Sequence, residues 1–184
     1  MTVLTPANQL TLMRVLLVPA FVILIVYGYF GWALIVFAFA GLTDLLDGLI
    51  ARMFRSRTSL GAWLDPMADK LLIVATFIVL TLPDLGLVNK LPVWLTILII
   101  SRDLLIVLTV AVINLAVGRR EFRPSIYGKI ATATYIITCV IIMYFNYLQR
   151  PSAFVTLGIY ASLVITLVSG FHYVLYATKI INQN

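Results

Sequence analysis

Four aspartates in this chain have the spacing of a site that does chemistry. Of its seven acids, Asp44 and Asp47 stand three residues apart and Asp65 and Asp69 four apart. Either spacing puts both members on one face of a helix, one turn from each other. Four convergent carboxylates repel one another, and some would take up protons unless cations neutralised them. An oxygen-only set without His or Cys suits a hard divalent ion, Mg²⁺ or Mn²⁺, and such ions commonly share a few carboxylates with substrate phosphates. One or two ions fit. Gly48, one turn after Asp44, and Ala51 clear space along the same helix, while Arg52 ends it within reach of an anion. Gly61 gives the joining loop freedom to turn into Asp65, which Pro66 at the first helical position would make an N-cap.

The elements that carry these residues follow from hydropathy. The 184 residues are 62% hydrophobic and 11% charged, against roughly 45–50% apolar in soluble domains, and the mean hydropathy is +1.09. A helix crosses the bilayer with about 20 apolar residues. The expected fold is therefore all-α: a polytopic integral membrane protein of one domain, 1–184, with six transmembrane helices in one bundle. They are read as Leu10–Phe30, Trp32–Phe54, Pro66–Leu82, Pro92–Val117, Ser125–Leu148 and Ala153–Ile180. Asp44 precedes Arg52 by about 12 Å along the axis, and Asp69 lies about 6 Å beyond Asp65. Antiparallel helices would thus face the two carboxylate pairs at each other in the cytoplasmic half of the membrane. A charge within a span costs about 2.5–3.5 kcal/mol or more unless it is paired or hydrated, so such acids need a reason to be there.

Orientation follows from the basic loops. Arg52, Arg55, Arg57, Arg119, Arg120, Arg123 and Lys179 fall on one side, Lys90 and Arg150 on the other. Both termini and the site are expected at the cytoplasmic face, in a bacterial inner membrane. The first apolar stretch makes a poor signal peptide, because no basic residue precedes Arg14. A lone Cys139 excludes a disulfide scaffold and zinc sites built on cysteine pairs. The net charge of +6 has no basic domain to house it, which argues against nucleic acid.

Written as a string, Asp44–x2–Asp47–Gly48–x2–Ala51–Arg52–x8–Gly61–x3–Asp65–x3–Asp69 places eight fixed residues over 26 positions. It resembles, at every position, the signature of the CDP-alcohol phosphotransferases, and the six-helix layout resembles that family over nearly the whole chain. The resemblance implies an enzyme that moves a phosphatidyl or related phosphoryl unit from a CDP-linked donor to an alcohol, releasing CMP. It implies Asp44, Asp47 and Asp65 as metal ligands, with Asp69 as a further ligand and the base for the incoming hydroxyl. Asp44, Gly48, Ala51, Arg52 and Gly61 would hold the CDP moiety. No Ser/His/Asp constellation is visible, His172 being the only histidine, so transfer is expected to be direct.

The second half bears on the acceptor. Arg102, Arg123 and Lys129 are candidate donors to an acceptor phosphate, although an Arg beside Asp103 can also be a neutralising pair. Ser101–Arg102–Asp103 and Arg123–Pro124–Ser125–x2–Gly128–Lys129 resemble cardiolipin synthases of the mitochondrial type, whose acceptor is phosphatidylglycerol. Asn8–Gln9–Leu10–Thr11–x2–Arg14 and Gly128–Lys129–x2–Thr132 also resemble phosphatidylglycerophosphate synthases, whose acceptor is glycerol 3-phosphate, but Asp103 departs from the Glu more frequent there. Phosphatidylglycerol is favoured, glycerol 3-phosphate is the alternative, and inositol phosphate or serine are more remote. The implied partners are CDP-diacylglycerol, one of these acceptors and the bilayer.

Plainer expectations accompany these. Asn8 reads as the N-cap of the first helix, Arg14 as a residue that snorkels to the interface or touches lipid phosphate, His172 as packed, and Cys139 as a small apolar residue. Trp32, Trp63 and Trp94 suit an aromatic belt. Gly158, Ser162, Gly170 and Ala177 suit helix contacts, including those of a homodimer. An intramembrane prenyltransferase also pairs aspartate motifs around Mg²⁺ but in separated repeats, and an ion-coupled transporter would repeat its broken segment in the second half. Neither pattern is present.

Overall fold

Apolar runs of this length leave the backbone no water to bond, so each closes its hydrogen bonds internally as a helix. The computed structural model describes the backbone of residues 6–54, 59–116 and 125–182, with side chains over 12–43, 70–112 and 125–175 and at Leu115 and Thr178. It holds six α-helices, α1 (Pro6–Val26), α2 (Phe30–Phe54), α3 (Ser59–Thr81), α4 (Val93–Ala116), α5 (Ile126–Tyr147) and α6 (Ala153–Asn182), with a 3₁₀ turn at Pro83–Leu85.

Two helix starts correct the sequence reading. Residues 6–26 are helical, so Asn8 lies inside α1 and does not cap it. α3 is helical throughout Ser59–Thr81, which places both Gly61 and Asp65 within the helix. The N-cap role of Asp65 and the loop role of Gly61 are therefore overturned. Proline is tolerated inside helices that cross a membrane, as Pro19 inside α1 also illustrates.

The helices fall into two units, residues 1–90 with 143–150, and residues 91–142 with 151–184. In the first, α1 packs against both α2 and α3. Its buried row is Arg14, Val18, Phe21 and Ile25, and that of α2 is Phe30, Ala33, Phe37 and Ala40. Phe21 and Phe37 meet with ring centroids 5.8 Å apart. Gly28, at φ +77°, turns the chain between them: its N–H reaches Ile25 O and that of Tyr29 reaches Leu24 O, satisfying the last carbonyls of α1. Gln149, at φ +52°, ends α5 in the same way, with bonds from Gln149 N–H to Asn146 O and Arg150 N–H to Phe145 O.

Asn146 ties the connection before α4 to this unit. Its Oδ1 accepts from Asn89 N–H at 3.0 Å and its Nδ2 donates to Asn89 O at 2.8 Å, so one amide matches both backbone groups of a buried residue. Asn89 Nδ2 donates in turn to Arg150 O at 2.8 Å. Gly31 lies under Tyr147, where a Cβ would come within 3.1 Å of the ring.

In the second unit α4 packs on α6, and a polar ladder joins α5 to α6. Thr138 Oγ1 meets Gly158 O at 3.2 Å and Ser162 Oγ at 3.0 Å, and Tyr135 Oη meets Thr166 Oγ1 at 2.6 Å. Gly158 is small because a Cβ there would stand 3.1 Å from Thr138. Gly158 and Ser162 are thus occupied within the chain and are not free for a homodimer interface.

Val93–Val112, Ile126–Tyr147 and Ala153–Leu175 are long and apolar enough to cross a membrane. The described apolar stretches of α1, α2 and α3 are shorter, Leu12–Val26, Phe30–Thr43 and Lys70–Thr81, although at 1.5 Å per residue the whole helices reach roughly 30–38 Å. The outer faces are greasy: Leu16, Leu115, Leu157 and Phe171 are among many large apolar side chains left exposed, a surface suited to lipid and not to water. Trp32 and Trp94 are exposed near helix starts, and Cys139 is buried.

Asn146→Leu should remove both bonds from the Asn146 amide to the backbone of Asn89. A loss of about 2–4 kcal/mol is expected from two unmade buried bonds, measured by chemical unfolding of the detergent-solubilised protein.

Candidate active site

The eight residues of the acidic string fall on two helices of the first unit, Asp44, Asp47, Gly48, Ala51 and Arg52 on α2 and Gly61, Asp65 and Asp69 on α3. Their side chains lie outside the described set. Backbone register still places them. The buried row of α2 runs 30, 33, 37, 40, and continuing its alternating steps of three and four reaches 44, 47 and 51. On α3 the buried Leu72, Thr76 and Val79 extend backwards in the same way to 69 and 65. Both carboxylate pairs therefore stand on the continuation of buried rows of helices that pack on α1. Among the described residues no three His, Cys, Asp or Glu side chains converge on a metal position. The donor set of the string itself, four carboxylates without nitrogen or sulfur, fits Mg²⁺ or Mn²⁺.

Arg14 belongs to this neighbourhood. It is 1% exposed, which overturns the expectation that it snorkels to the interface. From the Phe21–Phe37 contact, α1 runs back seven residues to Arg14 while antiparallel α2 runs forward seven to Asp44. The two positions are level. The sequence signal was available in the spacing of Arg14, Val18, Phe21 and Ile25, the same row that packs inward.

A second polar centre lies in the other unit. Arg102 sits midway along the Val93–Val112 span, with its side chain only 12% exposed. Nη1 donates to Asp103 Oδ1 at 2.7 Å, and Nη2 donates to Ser169 Oγ on α6. Two glycines lie beside this side chain: a Cβ on Gly128 would stand in ordinary contact with Nη2, at 3.8 Å, and one on Gly170 at 3.8 Å from Cγ. The side chain of Ala177 lies outside the described set. Ser125 caps α5, its Oγ accepting from Gly128 N–H at 3.1 Å, and exposed Lys129 stands in the same first turn. The neutralising pair is therefore real, and Lys129 lies beside the glycine that approaches Arg102. Arg123, with Arg119 and Arg120, lies outside the described residues.

Sequence reasoning missed Ser169 as the partner of Arg102. The steps Gly158, Ser162, Thr166, Ser169 of one small or hydroxylated face carried that signal. His172, read from the sequence as packed or interfacial, has its ring 4.6 Å from that of Tyr127 between centroids.

These observations define an all-helical integral membrane protein whose polar groups gather at helix contacts inside an apolar exterior. The chain belongs to the CDP-alcohol phosphatidyltransferase family, whose sequence profile matches residues 4–172, and it is a phosphatidyltransferase enzyme of phospholipid biosynthesis. It is 35% identical to a probable phosphatidylglycerophosphate synthase of Mycobacterium tuberculosis, over 94% of this chain and 81% of that protein. It is 38% identical to a human cardiolipin synthase (CMP-forming) over 72% of this chain and 48% of that protein. With the cardiolipin synthase (CMP-forming) of Streptomyces coelicolor it shares 37% identity over 71% and 60%.

Arg102→Leu removes the guanidinium from both Asp103 and Ser169 and should cost about 3 kcal/mol of stability. Arg102→Lys keeps a charge but not the fork, and about 1 kcal/mol is expected, the value of one hydrogen bond. Unfolding curves of the two variants in one detergent check the ranking.

Proposed function

We propose that this enzyme transfers the phosphatidyl group of CDP-diacylglycerol to a hydroxyl of a glycerol-type acceptor, with release of CMP. The observation that carries the reading is the complete acidic string on α2 and α3, in register with the inward rows of both helices, in a chain of this family. Asp44, Asp47, Asp65 and Asp69 would hold one or two Mg²⁺ or Mn²⁺ ions. When bound, such ions offset charge on the diphosphate and on the departing CMP.

Asp69 takes the proton of the acceptor hydroxyl as its oxygen attacks the phosphorus that bears diacylglycerol. The bond from that phosphorus to the CMP oxygen breaks, and CMP leaves as the anion. Arg52 contributes charge toward the donor's phosphates, and Gly48, Ala51 and Gly61 leave room for the nucleotide. Arg14, a buried cation level with Asp44, balances the carboxylates. Arg102, Arg123 and Lys129 bind the acceptor's phosphate as charge-assisted donors.

Phosphatidylglycerol is the favoured acceptor, supported by Asp103 after Arg102 and by the similarity to cardiolipin synthases. Glycerol 3-phosphate is the second reading, favoured by the M. tuberculosis relative, which matches more of both chains. The arrangement in the bilayer is read as one domain of six spans with cytoplasmic termini and the acidic string at the cytoplasmic side of a bacterial inner membrane. Support comes from three connections that gather within the first unit: the Gly28 turn, the Asn89 segment and the end of α5. They carry Lys90 and Arg150 and none of the seven cytoplasmic cations.

Purified protein with Mg²⁺ or Mn²⁺ should release CMP from CDP-diacylglycerol only when an acceptor is supplied, and a chelator should stop it. Lipid mass spectrometry of an acceptor panel identifies the product: cardiolipin is expected, and phosphatidylglycerophosphate would select the second reading. Asp69→Asn should lower kcat at least about a hundredfold, the scale of general-base catalysis; wild-type turnover would remove Asp69 from that role.

A further inference from the structure

Among the described residues of the second unit, two buried nitrogens lack a hydrogen-bond partner, Arg102 Nε and His172 Nδ1. They belong to one cluster on three helices. Ser169, bonded to Arg102 Nη2, lies one turn before His172 on α6. Tyr127, whose ring packs against the imidazole at 4.6 Å, immediately precedes Gly128, where a Cβ would stand 3.8 Å from Arg102 Nη2. An unmade bond in hydrocarbon costs several kcal/mol, and folded interiors keep few such groups. Two in one cluster call for a ligand that brings acceptor oxygens. Asp103 offsets one of the two cations Arg102 and Lys129, and the one net positive charge that remains disfavours a metal ion and attracts an oxyanion.

Resting on the acceptor reading above, we infer that His172 is a binding residue for the acceptor's phosphate. With its proton on Nδ1 it donates to a phosphate oxygen, Arg102 Nε donates to another, and Lys129 adds charge from the first turn of α5. Tyr127 is a positioning residue that fixes the plane of the imidazole. The shared ligand chemistry is a glycerol-linked phosphate, present as a monoester in glycerol 3-phosphate and as a diester in phosphatidylglycerol.

The test uses the full-length chain in phosphatidylcholine nanodiscs with CDP-diacylglycerol. Phosphatidylglycerol is incorporated in one arm and glycerol 3-phosphate added in the other, and CMP release is followed as acceptor is titrated. His172→Phe keeps a ring against Tyr127 and removes the donor; His172→Asn keeps an N–H near Nδ1 and removes the ring. In the arm that turns over, the Phe variant should raise acceptor KM about tenfold with kcat and donor KM within about twofold, while the Asn variant stays within about threefold of wild type. A packing role reverses that ranking and overturns the inference, as do equal KM values for all three proteins. Thermal stabilisation by glycerol 3-phosphate provides a readout without turnover. If wild type transfers to neither acceptor, the transfer reading fails, yet stabilisation lost in the Phe variant and kept in the Asn variant still supports the site. Absence of that stabilisation in wild type overturns it.

Discussion

Inside a bilayer a polar group can bond only to the protein or to what the protein binds, and nearly every polar contact in this chain answers to that constraint. Threonines turn back on their own helices, as Thr76 Oγ1 does to Leu72 O at 2.8 Å. Hydroxyls bridge α5 to α6, Asn146 satisfies a whole peptide unit, and Arg102 spreads its guanidinium over two helices. Since lipid tails are as apolar as leucine, these bonds and the close approach at Gly158 supply specificity that a hydrophobic effect between helices would supply in water. The groups that remain unmatched then become informative, because the solvent has nothing to offer them.

The same constraint gives meaning to the acidic string. Buried rows on α2 and α3 are apolar or backbone-bonded up to Ala40 and down to Leu72, and the aspartate positions continue them. Carboxylates at such positions would require cations, whether the buried Arg14 on α1 or divalent ions. A phosphatidyltransferase has use for both. In the proposed reaction its donor and its product would stay in the bilayer and CMP would leave for water, so a charged site near the ends of α2 and α3 would bring the two phases together.

Much of this was legible from residue types alone. The helices, their order and the acidic string followed from hydropathy and spacing. Helix starts were misread at Asn8 and Asp65, where a favourable capping residue stood near a proline and local chemistry suggested a boundary that the bilayer does not require. Gln149 ends α5 in the left-handed region without the glycine that usually signals it. Contacts such as Asn89 with Asn146 or Arg102 with Ser169 depend on which helices become neighbours, and a single sequence does not encode that pairing in any local pattern.

The Asn89–Asn146 clamp also sets a timetable for biogenesis. Its partners are 57 residues apart, and at about 5–20 residues per second the ribosome needs roughly 3–11 s to supply the second after the first. During that interval the first three helices and the segment after them exist without the side chain that bonds the backbone of Asn89. The amino-terminal half, which carries the acidic string, is thus completed by a residue from near the end of the fifth helix. Nascent chains arrested before that point would leave this unit unfinished, exposed to the membrane's quality-control proteases even though every aspartate had already been made.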